Sequence, residues 1–214
     1  MIVAIDGPAG VGKGTLARRL AARFDLEHLD TGSLYRAVAV HLLRAGQDAK
    51  DPAAAAAAAN GLSVNDLADP RLRSEEVGEA ASVVSANPLV RAALLAFQKN
   101  FAKFPPSNAK GAVLDGRDIG TVICPEADIK FYLTARPEVR AQRRFEELRA
   151  RGEPAIYARV LAGLEARDRR DANRGIAALK AADDAIVIDT SDLDADRVFA
   201  IALEAIERRT RGAG

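Results

Sequence analysis

Residues 2–20, IVAIDGPAGVGKGTLARRL, set four glycines and one lysine between an apolar run and a segment of helical period. Ile2 to Ile5 reads as a buried strand, β-branched at three of its four positions, and it stops at Asp6-Gly7. Beyond Lys13 the period changes: Leu16, Leu20 and Phe24 recur at i, i+4 and i+8, one face of a helix. A strand, a glycine-rich loop and a helix in that order make a site for an anion. Glycines let successive N–H groups converge without Cβ interference, and the helix adds the positive end of its dipole.

The loop GPAGVGKG fits the phosphate-binding pattern G-x-x-x-x-G-K at Gly7, Gly12 and Lys13. Gly14 stands where the pattern has Ser or Thr, and Thr15 follows one place later. The residues expected to hold a nucleoside triphosphate are therefore Gly7, Pro8, Ala9, Gly10, Val11, Gly12, Lys13, Gly14 and Thr15. Lys13 would reach the β- and γ-phosphates, with Thr15 a candidate for the magnesium shell. A dinucleotide fingerprint competes, since Gly12 to Ala17 fits G-x-G-x-x-A and Asp30 lies near where a ribose-binding acid belongs. That fingerprint starts directly after its strand and has no use for a lysine. The nucleoside triphosphate reading is preferred.

Further strands are expected at EHLD (27–30), GAVLD (111–115), IKFYL (129–133) and AIVID (185–189). Helices are expected at SLYRAVAVHLLRAG, closed by Gly46, and over the alanine tract after Asp51-Pro52. Others are expected at roughly 136–151, 155–173 and 193–209, the last with Phe199, Leu203 and Ile206 on one face. Short apolar strands alternating with amphipathic helices imply an α/β fold with a parallel sheet covered on both sides. About 80 residues separate EHLD from GAVLD, far more than a crossover needs, so a helical insertion is expected there. It includes SEEVGEAASVVSA and PLVRAALLAFQKNFAKF.

Composition narrows the function classes. Of 214 residues, 49% are hydrophobic and 29% charged, the balance of a globular protein able to bury a sizeable core. Thirty-one basic residues against thirty acidic ones argue against broad binding to nucleic acid or a membrane surface. Cys124 is the only cysteine, so no internal disulfide can form and a reducing, cytoplasmic setting is expected. It reads as a small buried residue rather than a nucleophile. No signal peptide is expected from the N-terminal pattern, and no apolar run of 18 residues occurs in the sequence.

The acceptor of the phosphate has to be sought elsewhere in the chain. No N-K-x-D segment of a guanine-reading switch occurs, but arginines lie near strand ends and helix faces. Arginine suits phosphoryl transfer, which runs on positioning and charge neutralisation. In LDTGSLYR, Thr31 and Gly32 read as a turn with Arg36 one helical turn beyond. On that segment alone a capped helix with an exposed arginine is the plainer reading. In VLDGRDIGT a buried strand ends in Asp115, Arg117 and Asp118, where an anion and a base edge can be bound side by side. Asp115 is a second candidate for a cap or the magnesium shell. In EARDRRDANRG, Arg167, Asp171 and Arg174 fall at i, i+4 and i+7, one helical face, although a solvated ion-paired face is the commoner fate of such spacing. Arg140, Arg143 and Arg144 either belong to another such face or line a lid.

Taken in order, GPAGVGKGT, LDTGSLYRA, EAASVVSANPLVR, DGRDIGTVI and RDRRDANR resemble bacterial-type cytidylate kinase, over about residues 2–190. The resemblance implies a three-layer P-loop kinase core with a five-stranded parallel sheet, an NMP-binding insertion and a short lid. It would be a single domain, residues 1–214, with the insertion at about 60–105 and the lid at about 144–158. The implied activity is transfer of the γ-phosphate of ATP to CMP or dCMP with Mg2+, by a cytoplasmic monomer. Carried over by position, Arg36, Arg117 and Arg174 bind the CMP phosphate and act with Lys13 in catalysis. Ser82, Arg91 and Asp118 read the cytosine edge with Thr31 close by, while Arg167 and Asp171 hold the ribose. A carboxylate suits cytosine because it accepts from the exocyclic amine, where uracil offers a carbonyl. Two departures stand out. Thr31 replaces the usual serine, and residues 61–77 leave room for at most two short strands where relatives carry a strand-rich unit. A kinase for UMP, AMP or another small acceptor is the alternative within the enzymes, and a non-catalytic ATP-binding regulator the alternative outside them.

Overall fold

A computed structural model describes residues 1–173 and 177–211. Its sheet has five strands: β1 (Ile2–Asp6), β2 (Glu27–Asp30), β3 (Ala112–Gly116), β4 (Ile129–Thr134) and β5 (Ile186–Asp189). They lie in the order β2-β3-β1-β4-β5, and β1 pairs parallel with both β3 and β4, as β4 does with β5. The five strands are those expected from the sequence. They are parallel because each apolar run is followed by a crossover too long for a hairpin. With β3 on one side of β1 and β4 on the other, the chain's winding reverses at β1. Its carboxyl end is thus the crevice where open α/β sheets bind ligands.

The chain forms two compact units, Met1–Leu29 with Ala102–Gly214, and Asp30–Phe101. In the first, α1 (Lys13–Phe24) and α8 (Ala195–Arg211) cover one face of the sheet. Val3, Ile5, Val113, Phe131 and Leu133 share a core there with Leu16 and Leu20 of α1 and Val198, Ala202 and Ile206 of α8. The helical period in the sequence is the cause: those positions recur on one side of each helix. Cys124 is buried, as a small apolar residue would be. Two charged helices, α6 (Pro137–Ala150) and α7 (Tyr157–Ala172), pack together with Phe145 edge-on to Tyr157 at 6.2 Å between ring centroids.

The second unit is built on α2 (Thr31–Arg44). Asp30 caps it by accepting from the Gly32 N–H at 2.9 Å, so the helix starts at Thr31, where the sequence suggested a turn. The alanine tract is the plain helix α3 (Pro52–Asn60), capped by Asp51. Residues 61–77 form no strand among the described residues; they make two 3-10 turns, Val64–Ala68 and Pro70–Arg73. Local chemistry explains the difference. Ser63 and Asp66 form a capping box, Asp69 caps the next turn, and Pro70 has no N–H for a ladder. Both turns are tied to α2 by His41 on Asp66 at 2.9 Å and by Arg44 on Asp69 at 2.6 Å. The hydrogen bond from His41, followed by those from Ser63, holds the Asp66 carboxyl down at about 2. Helices α4 (Glu75–Val84) and α5 (Pro88–Lys103) follow and meet at 99°. Among the described residues no single helix is long and apolar enough to cross a membrane.

Candidate active site

The glycine loop leaves the carboxyl end of β1 and enters α1 at Lys13, as the sequence predicted. Gly7 has φ 148°, and a Cβ there would meet the Leu133 carbonyl oxygen at 2.2 Å, so no other residue fits without moving β4. Gly12, at φ 96°, precedes the helix with no side-chain cap, and a Cβ would find nothing within 4 Å. The helix opens with Thr15 N and Leu16 N both donating to the Gly12 carbonyl at 3.1 Å, and its positive dipole end lies at the loop. The Lys13 ammonium is drawn back across the loop, donating to the carbonyls of Gly7 and Pro8 at 2.8 Å each. Thr15 is exposed in the first turn.

Arg140 braces this loop from behind. It is buried, and its guanidinium donates to the Ala135 carbonyl at 3.0 Å, the Ala9 carbonyl at 3.3 Å and Asp168 Oδ2 at 2.7 Å. One side chain therefore connects the phosphate loop to α7. Arg143 donates to the hydroxyl and carbonyl of Thr190, the latter at 2.6 Å, which fixes it against the segment after β5. Neither arginine stands on a solvated face, since both donate to backbone carbonyls of other segments. Arg144 is partly buried and donates to Glu147 at 2.9 Å on its own helix. Helices α6 and α7 are separated by Arg151 to Ile156, with Gly152 at φ 75°.

At the end of β3, Arg117 and Asp171 come together. Arg117 Nε donates to Asp171 Oδ2 at 2.7 Å, and Asp171 is wholly buried. The sequence had linked Asp171 to Arg167 and Arg174 on one helical face. In the structure α7 ends at Ala172, where Asn173 donates back to the Arg169 carbonyl at 2.9 Å. Arg167 and Asp171 share that helix, whereas Arg174 lies outside the described residues. Asp118 is buried and heads a π-helical turn, Ile119–Ile123, a conformation common at functional sites. Asp115 is no cap: it is a buried residue of β3 that meets His28 Nε2 at 2.7 Å.

Sequence reasoning missed His28 and Asp6, and it gave Arg140 only a surface or lid role. The Asp6 carboxylate accepts from the N–H groups of Ile119 and Gly120 at 2.8 Å each. Burial pushes its pKa up to about 6, against the opposing pull of those two N–H groups and Lys13; the nearby Asp118 pushes the same way as burial. Only the strand end at Asp6-Gly7 marked the position, and nothing in the sequence gives its partners 113 and 114 residues away. The folded state keeps this proton longer than the unfolded chain does. The group therefore favours folding below its ordinary range, and that contribution is lost as pH rises through about 6. Asp6→Asn is expected to remove up to about 2 kcal/mol of the fall in unfolding free energy between pH 4 and pH 6, measured by urea titration. Parallel pH profiles for the two proteins would contradict this.

In the second unit, Arg36 donates to the Leu72 carbonyl at 2.7 Å, so the second 3-10 turn holds it. Its guanidinium lies over Gly78 of α4, where even a Cβ would come within 3.4 Å. Thr31 and Ser82 are buried. Arg91 donates to the Ser85 carbonyl at 3.4 Å and stacks over the Tyr35 ring, 5.7 Å from its centroid. The unit thus gathers Arg36, Ser82 and Arg91 on α2, α4 and α5. Asp30, the acid a dinucleotide site would need, is occupied as the cap of α2.

No cluster of three or more His, Cys, Asp or Glu among the described residues could hold a metal ion by itself. Of the two residues the sequence offered for a metal shell, Thr15 is exposed in the first turn of α1 and Asp115 is held by His28 at 2.7 Å.

The family model described as cytidylate kinase matches residues 3–208. A protein named cytidylate kinase from Paramagnetospirillum magneticum is 58% identical over 205 residues, covering 96% of this chain and 97% of its own. Another of that name, from Bradyrhizobium sp. strain ORS 278, is 58% identical over 207 residues, covering 97% of this chain and 96% of its own. Among solved structures, an uncharacterized protein from Eubacterium ventriosum aligns with TM-score 0.54 and 15% identity over 97% of this chain and 98% of its own, a likeness of fold.

Proposed function

Because the chain belongs to the cytidylate kinase family, we infer that it transfers the γ-phosphate of ATP to CMP and dCMP, yielding CDP and dCDP. One observation carries the reading beyond family membership. A glycine loop crossed by the Lys13 ammonium and an arginine locked at 2.7 Å to a buried aspartate belong to the same compact unit, at the carboxyl ends of β1 and β3. The first suits a donor triphosphate and the second an acceptor phosphate.

In this account residues 7–15 hold the triphosphate, and Lys13 leaves the loop carbonyls to follow the moving phosphoryl group. Thr15 and Asp115 would hold, through water, the Mg2+ that accompanies ATP, and that ion would supply charge neutralisation. Arg36, Arg117 and Arg174 bind the CMP phosphate. Ser82, Arg91 and Asp118 read cytosine beside Thr31, and Arg167 and Asp171 hold the ribose, Asp171 also fixing Arg117. No general base is needed, because the acceptor is already an anion; the cations offset its repulsion from ATP. The chain would act as one kinase domain, 1–214, with its NMP-binding insertion at about 60–105, mostly within the second unit, and a lid at about 144–158. The family leads us to place this monomer in the cytoplasm, acting on free nucleotides rather than on nucleic-acid polymers or membranes.

Coupled ADP release with CMP, dCMP, UMP and AMP tests the assignment. Fast turnover of CMP and dCMP with weak UMP is expected, and a preference for UMP or AMP would overturn it.

A further inference from the structure

The mechanism above gives no task to Asp6, yet burying that carboxylate costs stability. Its two oxygens accept from consecutive N–H groups, Ile119 and Gly120, at 2.8 Å each. Those residues open the π-helical turn that follows Arg117-Asp118, and the turn closes on the same place: Val122 N and Ile123 N donate to the Asp118 carbonyl at 2.9 and 3.2 Å. The backbone of Asp118 is therefore fixed from both sides. The turn also sits tightly, since a Cβ on Gly120 would come within 3.1 Å of Lys130 Cδ and 3.4 Å of Asp6 Oδ2. Two neighbouring donors call for two acceptor oxygens. An asparagine supplies one, and turns its own N–H groups on the other donor. Asp6 is also the residue from which the phosphate loop departs, and it pairs in register with Gly116, immediately before Arg117.

We propose that Asp6 is a positioning residue for acceptor selection: by holding Ile119 and Gly120 it sets Asp118 to read the base and locks the acceptor turn to the root of the phosphate loop. This rests on the reading of Asp118 as the cytosine contact.

The test compares the wild type, Asp6→Asn, Asp118→Asn and the double variant, measuring kcat/KM for CMP and UMP, the KM for ATP and the melting temperature. Asp6→Asn is expected to lower the CMP-to-UMP ratio about tenfold, the scale of one lost charge-assisted hydrogen bond, with the KM for ATP within about twofold. In the double variant the ratio should fall little further than in Asp118→Asn alone, because both changes disable one device. An unchanged ratio in folded Asp6→Asn, or fully multiplying effects, would overturn the proposal. If Asp6→Asn does not fold, Gly120→Ala crowds the same turn with Asp6 intact. A lowered ratio supports the proposal and an unchanged one rejects it. A wild type with no preference for CMP would instead reject the reading of Asp118, and the proposal with it.

Discussion

Lys13→Ala is expected to lower kcat on the order of 10³-fold while leaving the KM for CMP within about twofold. The Lys13 ammonium is buried and held by the Gly7 and Pro8 carbonyls, within reach of the triphosphate the loop would cradle. A cation that follows charge onto the transferring group strengthens in the transition state, so its loss falls on kcat rather than on acceptor binding. Lys13→Met keeps most of the apolar stem and removes the charge, and it should match the alanine variant in rate with less change in melting temperature. Equal losses in kcat and in CMP binding would mean that Lys13 works by holding the loop together.

Arg117→Ala should lower kcat/KM for CMP by about 10²–10³-fold and also destabilise the fold by about 3 kcal/mol. Both effects come from one contact, because Arg117 is the 2.7 Å partner of a carboxylate with no exposure to water. Arg117→Lys distinguishes charge from geometry. A lysine can pair with Asp171 but lacks the planar fork that holds a carboxylate and a phosphate together. It is expected to recover most of the stability and little of the activity, read by denaturant unfolding and steady-state kinetics. Full recovery of activity by lysine would show that charge alone matters at this position.

The features legible in the sequence were those written in local pattern. The four-residue run at Ile2 to Ile5 and the glycines after it fixed the central strand and the phosphate loop, because period and backbone conformation depend on near neighbours. Asp51-Pro52 announced α3 for the same reason. Residues 61–77 were harder: their number suited short strands, but Ser63, Asp66 and Asp69 satisfied backbone groups locally and made turns instead. Long-range pairing stayed hidden. Arg140 looked like one of a run of surface charges until α6 placed it beneath Ala9 and beside Asp168. Asp171 was read as a partner for its own helix and is bonded to Arg117, 54 residues earlier. Asp6 looked like a strand terminus and proved to anchor a turn on another strand's loop. In each case the side chain's role follows from which strands the sheet order makes neighbours, and the sequence does not state that order.

The most direct test of the central claim follows the phosphoryl group itself. The protein is incubated with magnesium, CMP and ATP labelled at its γ-phosphate, and the products are separated. All transferred label should appear in CDP at the β-position, with almost none in inorganic phosphate. Label released as inorganic phosphate while CMP remains unchanged would contradict the account, leaving a nucleotide-binding loop without an acceptor site.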